Sequence, residues 1–97
     1  MDFRLRFNEE KNQLLKVTRN ISFEEVIDVL ENDGLLADIA RPSLRRANQR
    51  VYVVRIGNYA YAIPYVIDHS RREIFLKTVY PSSKFTKLYL GKGEHNE

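Results

Sequence analysis

The chain opens on a strict alternation, Phe3-Arg4-Leu5-Arg6-Phe7, which predicts a short first strand. Residues 9–19 then predict a helix with Leu14, Leu15 and Val17 turned inward, stopped by Asn20, a residue that tolerates the left-handed conformation. The next helix is better signalled. Ser22 and Glu25 have capping-box spacing, Ile21 and Val26 flank them as a hydrophobic staple, and Phe23, Val26, Ile27 and Leu30 make one apolar stripe. Asn32-Asp33-Gly34 ends that helix, with Gly34 as the natural residue beyond its end.

After a short extended piece, Leu35 to Ile39, the stretch from Arg41 to Gln49 reads as a polar, basic loop containing Pro42. Arg50 to Ile56 alternates as a strand, Gly57-Asn58 is a two-residue turn signal, and Tyr59 to Ile67 is the return strand. That return strand sets Tyr59, Tyr61, Ile63, Tyr65 and Ile67 on one face. Pro64 cannot donate to a ladder, so the strand is expected at a sheet edge there or with a bulge. Asp68 to Arg72 reads as a turn and Glu73 to Val79 as a third long strand. Pro81 breaks it, Ser82 or Ser83 caps a last helix, and Gly91 ends it. The order β-α-α-β-β-β-α belongs to the α+β class: a helical hairpin packed on a mostly antiparallel sheet. Residues 1–91 are expected to form one domain and residues 92–97 a charged tail.

At 97 residues there is room for one small domain, and 43% hydrophobic with 30% charged residues fits a folded chain. A domain of this size buries only ~60–65% of its unfolded surface, so its stability margin is thin. The absence of cysteine excludes disulfides, cysteine-based metal sites and thiol nucleophiles. Without an apolar run of membrane-spanning length or a signal peptide, the expectation is a soluble, cytoplasmic protein with no membrane partner.

The net charge of +3 conceals an asymmetry. Residues 1–40 hold five basic and nine acidic residues, whereas residues 41–93 hold eleven basic residues against only Asp68 and Glu73. A nearly acid-free half of that kind suits a phosphate-bearing or acidic partner. No Gly-rich phosphate loop, metal-spaced histidine pair or Ser-His-Asp set is assembled, so no metal or cofactor is expected. His69, in a turn beside Asp68, and His95, in the tail, read as solvated polar residues. The chemistry-bearing groups are the lysines, arginines and tyrosines of the sheet and last helix: Arg55, Tyr59, Tyr61, Tyr65, Lys77, Tyr80, Lys84 and Lys87. Cations hold phosphate and rings stack on unpaired bases. Phe75, Lys77 and Val79 are expected to share an outer strand face with Lys77 at its middle. RNA cleaved by its own 2′-hydroxyl needs its phosphate held, the developing charge stabilised and a proton delivered to the leaving oxygen. Lys and Tyr supply such groups without a metal.

Asn8-Glu9-Glu10-Lys11 followed by Asn20-Ile21-Ser22-Phe23-Glu24-Glu25-Val26 resembles the BrnT family of bacterial toxins, part of the RelE/ParE-like group. Lys11 and the run from Ile21 to Glu25 match the family pattern. Phe7-Asn8 stand for its Trp-Asp, and Arg19-Asn20 for its His-Gly. Ile74 to Leu90 resembles the family's last strand and basic final helix; Lys84 and Thr86 match, while Ser82, Ser83 (an Arg in the family) and Phe85 depart. The resemblance implies a RelE-like fold and a metal-free endoribonuclease acting on messenger RNA. It also implies a cognate antitoxin with a ribbon-helix-helix part. On this reading Lys77, Tyr80 and Lys84 are the catalytic candidates, and Lys11, Arg55, Ser83 and Lys87 contact phosphate. The departures at Arg19 and Ser83 imply weakened cleavage. Two alternatives stand beside it: a non-catalytic RNA- or protein-binding module of the same fold, and a topoisomerase-inhibiting toxin.

Overall fold

The computed structural model describes residues 3–40 and 49–91; all but the last residue of the connection read from Arg41 to Gln49, and the tail 92–97, lie outside the described residues. The elements run β1 (Arg4–Phe7), α1 (Glu9–Arg19), α2 (Phe23–Glu31), β2 (Leu35–Ala40), β3 (Gln49–Ile56), β4 (Tyr59–Asp68), β5 (Glu73–Leu76), β6 (Tyr80–Pro81) and α3 (Ser83–Leu90). The protein is a small α+β fold. One six-stranded sheet has the order β1-β5-β4-β3-β2, with β6 also paired to β4. β1 is parallel to β5, and the other pairs are antiparallel.

Alternation along β3 and β4 divides the core between the two faces of the sheet. Tyr52, Val54, Ile63 and Tyr65 join Ile74 and Leu76 under the α1–α2 hairpin, against Leu15, Ile21, Phe23 and Val26. Val51, Val53, Ala60 and Ala62 point the other way, against Phe85, Tyr89 and Leu90 of α3. The small Ala60 and Ala62 let α3 approach closely, and the Thr86 hydroxyl accepts the Ala60 N–H at 2.8 Å.

Local chemistry explains the helix ends. The Ser22 hydroxyl accepts the Glu25 N–H at 3.1 Å, and Ser82 does the same for Phe85 at 3.0 Å, so Ser82 is the cap of α3 and Ser83 its first residue. Asn20 closes α1 at φ 57°. At the end of α2 the left-handed residue is Asp33, not Gly34. Gly34 is needed for closeness instead, since a Cβ there would lie 2.1 Å from Val29 Cγ1 and 2.9 Å from the Val29 carbonyl.

The inner face of α1 differs from the expectation. Leu15 is buried, but Leu14 and Val17 are 55% and 83% exposed, and Asn12 is fully buried one turn earlier. Asn12 Oδ1 accepts the Phe23 N–H at 2.7 Å and its Nδ2 donates to Glu24 Oε1 at 2.8 Å. A polar side chain thus binds α1 to the first turn of α2, satisfying an N–H that the helix itself leaves open.

Pro64 meets the second of its two expected settings, an irregularity in the pairing, with the extra residue on the partner strand. It sits inside the sheet, opposite Val51 of β3, and its carbonyl accepts the Lys77 N–H at 2.8 Å. In a strand a residue's N and C=O point to the same side, so the missing N–H faces Lys77 and costs one bond on that side only. There the ladder lapses. Tyr65 pairs with Leu76 before the gap, and Ala62 with Tyr80 after it, so the partner strand carries one extra residue. The strand read as Glu73 to Val79 therefore ends at Leu76. The extra residue reverses the alternation: Val79 is buried in the hairpin-side core and does not share the outer face of Phe75 and Lys77.

Candidate functional site

β6 forms a ridge with a depression on each side. On the α3 side, Ile39, Ala40, Val51, Tyr80, Ser82, Lys84 and Phe85 line a cavity of about 340 Å³. On the other side, Arg19, Tyr61, Tyr80 and Pro81 line one of about 480 Å³. Tyr80 is common to both. Antiparallel pairing places Pro81 beside Tyr61 and Tyr80 beside Ala62, so successive residues of β6 address opposite faces of the sheet.

Of the residues picked from the sequence, Tyr80 and Lys84 are brought together on the α3-side cavity. Lys77 does not line it; its ammonium stands 5.9 Å from the centre of the Phe75 ring, a cation–π arrangement on the outer face of β5. Ser83 is exposed at the first position of α3, and Lys87 lies in its last turn. Arg55 is exposed at the end of β3, on the strand face shared with Ala60, where its Nε donates to the Gly57 carbonyl at 3.0 Å. Lys11 is in the first turn of α1, on the hairpin side of the sheet, away from α3.

The expected tyrosine row divides. Tyr65 is only 1% exposed and stacks on Tyr52 with ring centres 3.9 Å apart, so it is core. Its hydroxyl donates to Asp38 Oδ1 at 2.5 Å, and Arg50 Nε donates both to that oxygen and to the Tyr65 hydroxyl, each at 3.1 Å. Burial first, then the bond to Asp38, pushes the Tyr65 hydroxyl far above its usual range. It stays protonated and holds β2, β3 and β4 together. Tyr52 also lines a third cavity, of about 560 Å³, with Phe3, Leu5, Ile27, Leu30 and Leu35 beneath α2. Tyr59 and Tyr61 reach the surface, with ring centres 6.1 Å apart.

Arg19 stands in the sequence only as a departure from the histidine of the resembled family, yet its guanidinium Nη1 donates to the Val79 carbonyl at 2.8 Å. The sequence offers no hint of a partner sixty residues away, created by the extra residue opposite Pro64.

The charge split seen along the sequence becomes a split between helices. α2 carries Glu24, Glu25, Asp28 and Glu31 and no base, while α3 carries Lys84 and Lys87 and no acid. Chemically, the β6 ridge and the start of α3 offer a phenol, an ammonium and a guanidinium beside aromatic and proline surfaces. These groups suit an anion attached to a flat ring. Among the described residues, no three His, Asp or Glu side chains gather as metal ligands, and no helix is long and apolar enough to cross a membrane. The fold defines the chain no further than a small α+β protein with a mostly antiparallel sheet. No known family, curated protein or solved structure matches it.

Proposed function

We propose that the chain is the RNA-cleaving toxin of a toxin–antitoxin pair, with a RelE-like arrangement in which messenger RNA is worked on across β6 and the start of α3. The observation that carries this reading is the convergence of Tyr80 and Lys84 on one cavity beside a helix without acidic residues. In the reaction the substrate's own 2′-oxygen attacks the neighbouring phosphorus and gives up its proton to solvent. A cyclic phosphate forms and the bond to the 5′-oxygen breaks. Lys84 stabilises the charge that develops on the phosphate oxygens. Tyr80 donates its hydroxyl proton to the departing 5′-oxygen and recovers one from water. Lys87, Ser83 and Arg55 extend the phosphate track, with Lys77 at its margin; Lys11, on the hairpin side of the sheet, stands apart from it. An acidic segment of an antitoxin with a ribbon-helix-helix part would cover the α3 face by charge complementarity. The proposed setting is cytoplasmic.

Primer extension on cellular RNA after brief induction tests this, paired with cleavage of labelled single-stranded RNA by purified protein in the presence of a chelator. Discrete cuts that vanish in Lys84→Ala and Tyr80→Phe are the expected result. A second reading, a module that binds RNA without cutting it, draws on Lys77 standing on Phe75, outside the Tyr80–Lys84 cavity, and on Ser83 standing where the resemblance implies an arginine. Binding without cuts by the folded protein selects it.

A further inference from the structure

The depression on the far side of β6 shares Tyr80 with the site above, but its other lining residues have no role in that chemistry. Its four lining residues, Arg19, Tyr61, Tyr80 and Pro81, come from α1, β4 and β6, and none is acidic. Arg19 is exposed, but it is not a loosely held surface cation, because one N–H of its fork is fixed to the Val79 carbonyl at 2.8 Å. A guanidinium carries five N–H donors in a rigid plane, so this anchor orients the remaining ones. Tyr61 is half-buried, held at its edge by Tyr59, and β6 sets Pro81 beside it as a second flat apolar surface. The volume, about 480 Å³, is in the range of small-ligand clefts. A ring seated on Tyr61 and Pro81, with an anion on Arg19, is what these three groups accommodate together.

We infer that this groove is a second nucleotide subsite for single-stranded RNA, taking one base against Tyr61 and Pro81 and the adjoining phosphate on Arg19. The inference rests on the reading of RNA at Tyr80 and Lys84. Because Tyr80 borders both depressions, a strand crossing the β6 ridge occupies the two sites in succession. Arg19 and Tyr61 then bind and position the strand and take no part in proton transfer. Base stacking of this kind tolerates any base, so the subsite contributes affinity and strand register more than sequence choice.

The test uses the full chain and a fluorescein-labelled ten-nucleotide RNA carrying 2′-O-methyl groups, which cannot be cleaved, with anisotropy read across a salt series. Arg19→Gln removes one cation and is expected to lower the salt slope by ~0.7, the value for one phosphate on a single strand. Tyr61→Leu is expected to weaken binding roughly tenfold and Tyr61→Phe to leave it unchanged, because the ring and not the hydroxyl does the stacking. Lys84→Ala serves as the reference for the first site, and circular dichroism checks that every variant is folded. If Tyr61→Leu does not fold, Pro81→Gly, at the exposed second surface of the groove, takes its place in every comparison and is likewise expected to weaken binding. Binding weakened by Lys84→Ala but unchanged in folded Arg19→Gln and Tyr61→Leu overturns the subsite and leaves the first reading standing. Loss in Arg19→Gln alone also overturns it, since a bare phosphate contact is not a nucleotide site. No binding by the wild-type chain overturns both.

Discussion

Replacing Asn12 with Ala removes a side chain that joins the two helices of the hairpin through both ends of its amide. The Phe23 N–H loses its acceptor in a place where Asn12 is fully buried. An unsatisfied buried N–H costs ~1–3 kcal/mol, so a loss of about 2 kcal/mol is expected from that bond alone. For a domain of under a hundred residues this lowers Tm by roughly 10 °C. The pH dependence sharpens the test. The bond from Asn12 is the largest of the causes that hold the Glu24 carboxyl below its ordinary value. A carboxyl lowered in the folded state stabilises fully above its unfolded value and loses that contribution as pH falls through the folded one. Wild type therefore loses more than Asn12→Ala on acidification, and the gap between them narrows below about pH 4.5, the ordinary value for Glu24. Asn12→Asp keeps an acceptor for Phe23 but sets two carboxylates face to face, so it is expected to be unstable at neutral pH and to recover in acid. Thermal melts followed by circular dichroism at pH 7 and pH 4 decide it. A gap that stays constant or widens in acid, or an Asn12→Ala cost under ~0.5 kcal/mol, refutes the clamp.

Gly34→Ala is expected to destabilise the protein by more than ~1 kcal/mol, read from urea midpoints, because the new methyl meets the Val29 side chain and carbonyl at 2.1 and 2.9 Å. Replacing Lys84 and Lys87 together should flatten the salt dependence of RNA binding while leaving Tm within a few degrees, both side chains being exposed. Ser83→Arg places a fork at the exposed first position of α3 and should raise RNA cleavage about tenfold if the new contact is made only in the transition state; an unchanged rate in the folded variant rejects that position as part of the site.

The parts of this fold that the sequence discloses are those decided within a few residues. The cap at Ser22, the left-handed Asn20 and the Gly57-Asn58 turn between Ile56 and Tyr59 each depend on local backbone chemistry, and each stands where it was expected. What the pattern misreads depends on distant partners. Leu14 looked like core, yet the position that meets α2 is Asn12, whose amide is needed by a helix start eleven residues on. Pro64 calls for an edge or a bulge, but which of the two holds, and on which strand the extra residue falls, is set by strand order, which no local window contains. For the same reason the candidate site was half legible. Tyr80 and Lys84 are close in sequence and converge, whereas the turning of Val79 off the face of Lys77 and the reach of Arg19 both follow from the lapse opposite Pro64.

That lapse makes the chain unusually tolerant of length at one spot. Between Lys77 and Tyr80 the strand holds one residue more than its partner needs, so side chains before and after it are out of phase along the chain. Deleting Thr78, with Pro64 changed to Val so that the ladder can close, would let the sheet run on unbroken. Val79 would then stand opposite Ile63 on the hairpin side, and Tyr80 would stay beside Ala62, facing α3. Pro64→Val without the deletion would, if the ladder closed, turn Tyr80 toward the hairpin instead. Insertions and deletions are ordinarily harmless in loops and ruinous in sheets. Here one deletion inside a sheet leaves the layout of the proposed site as it is, because the residue removed is one that the pairing does not use.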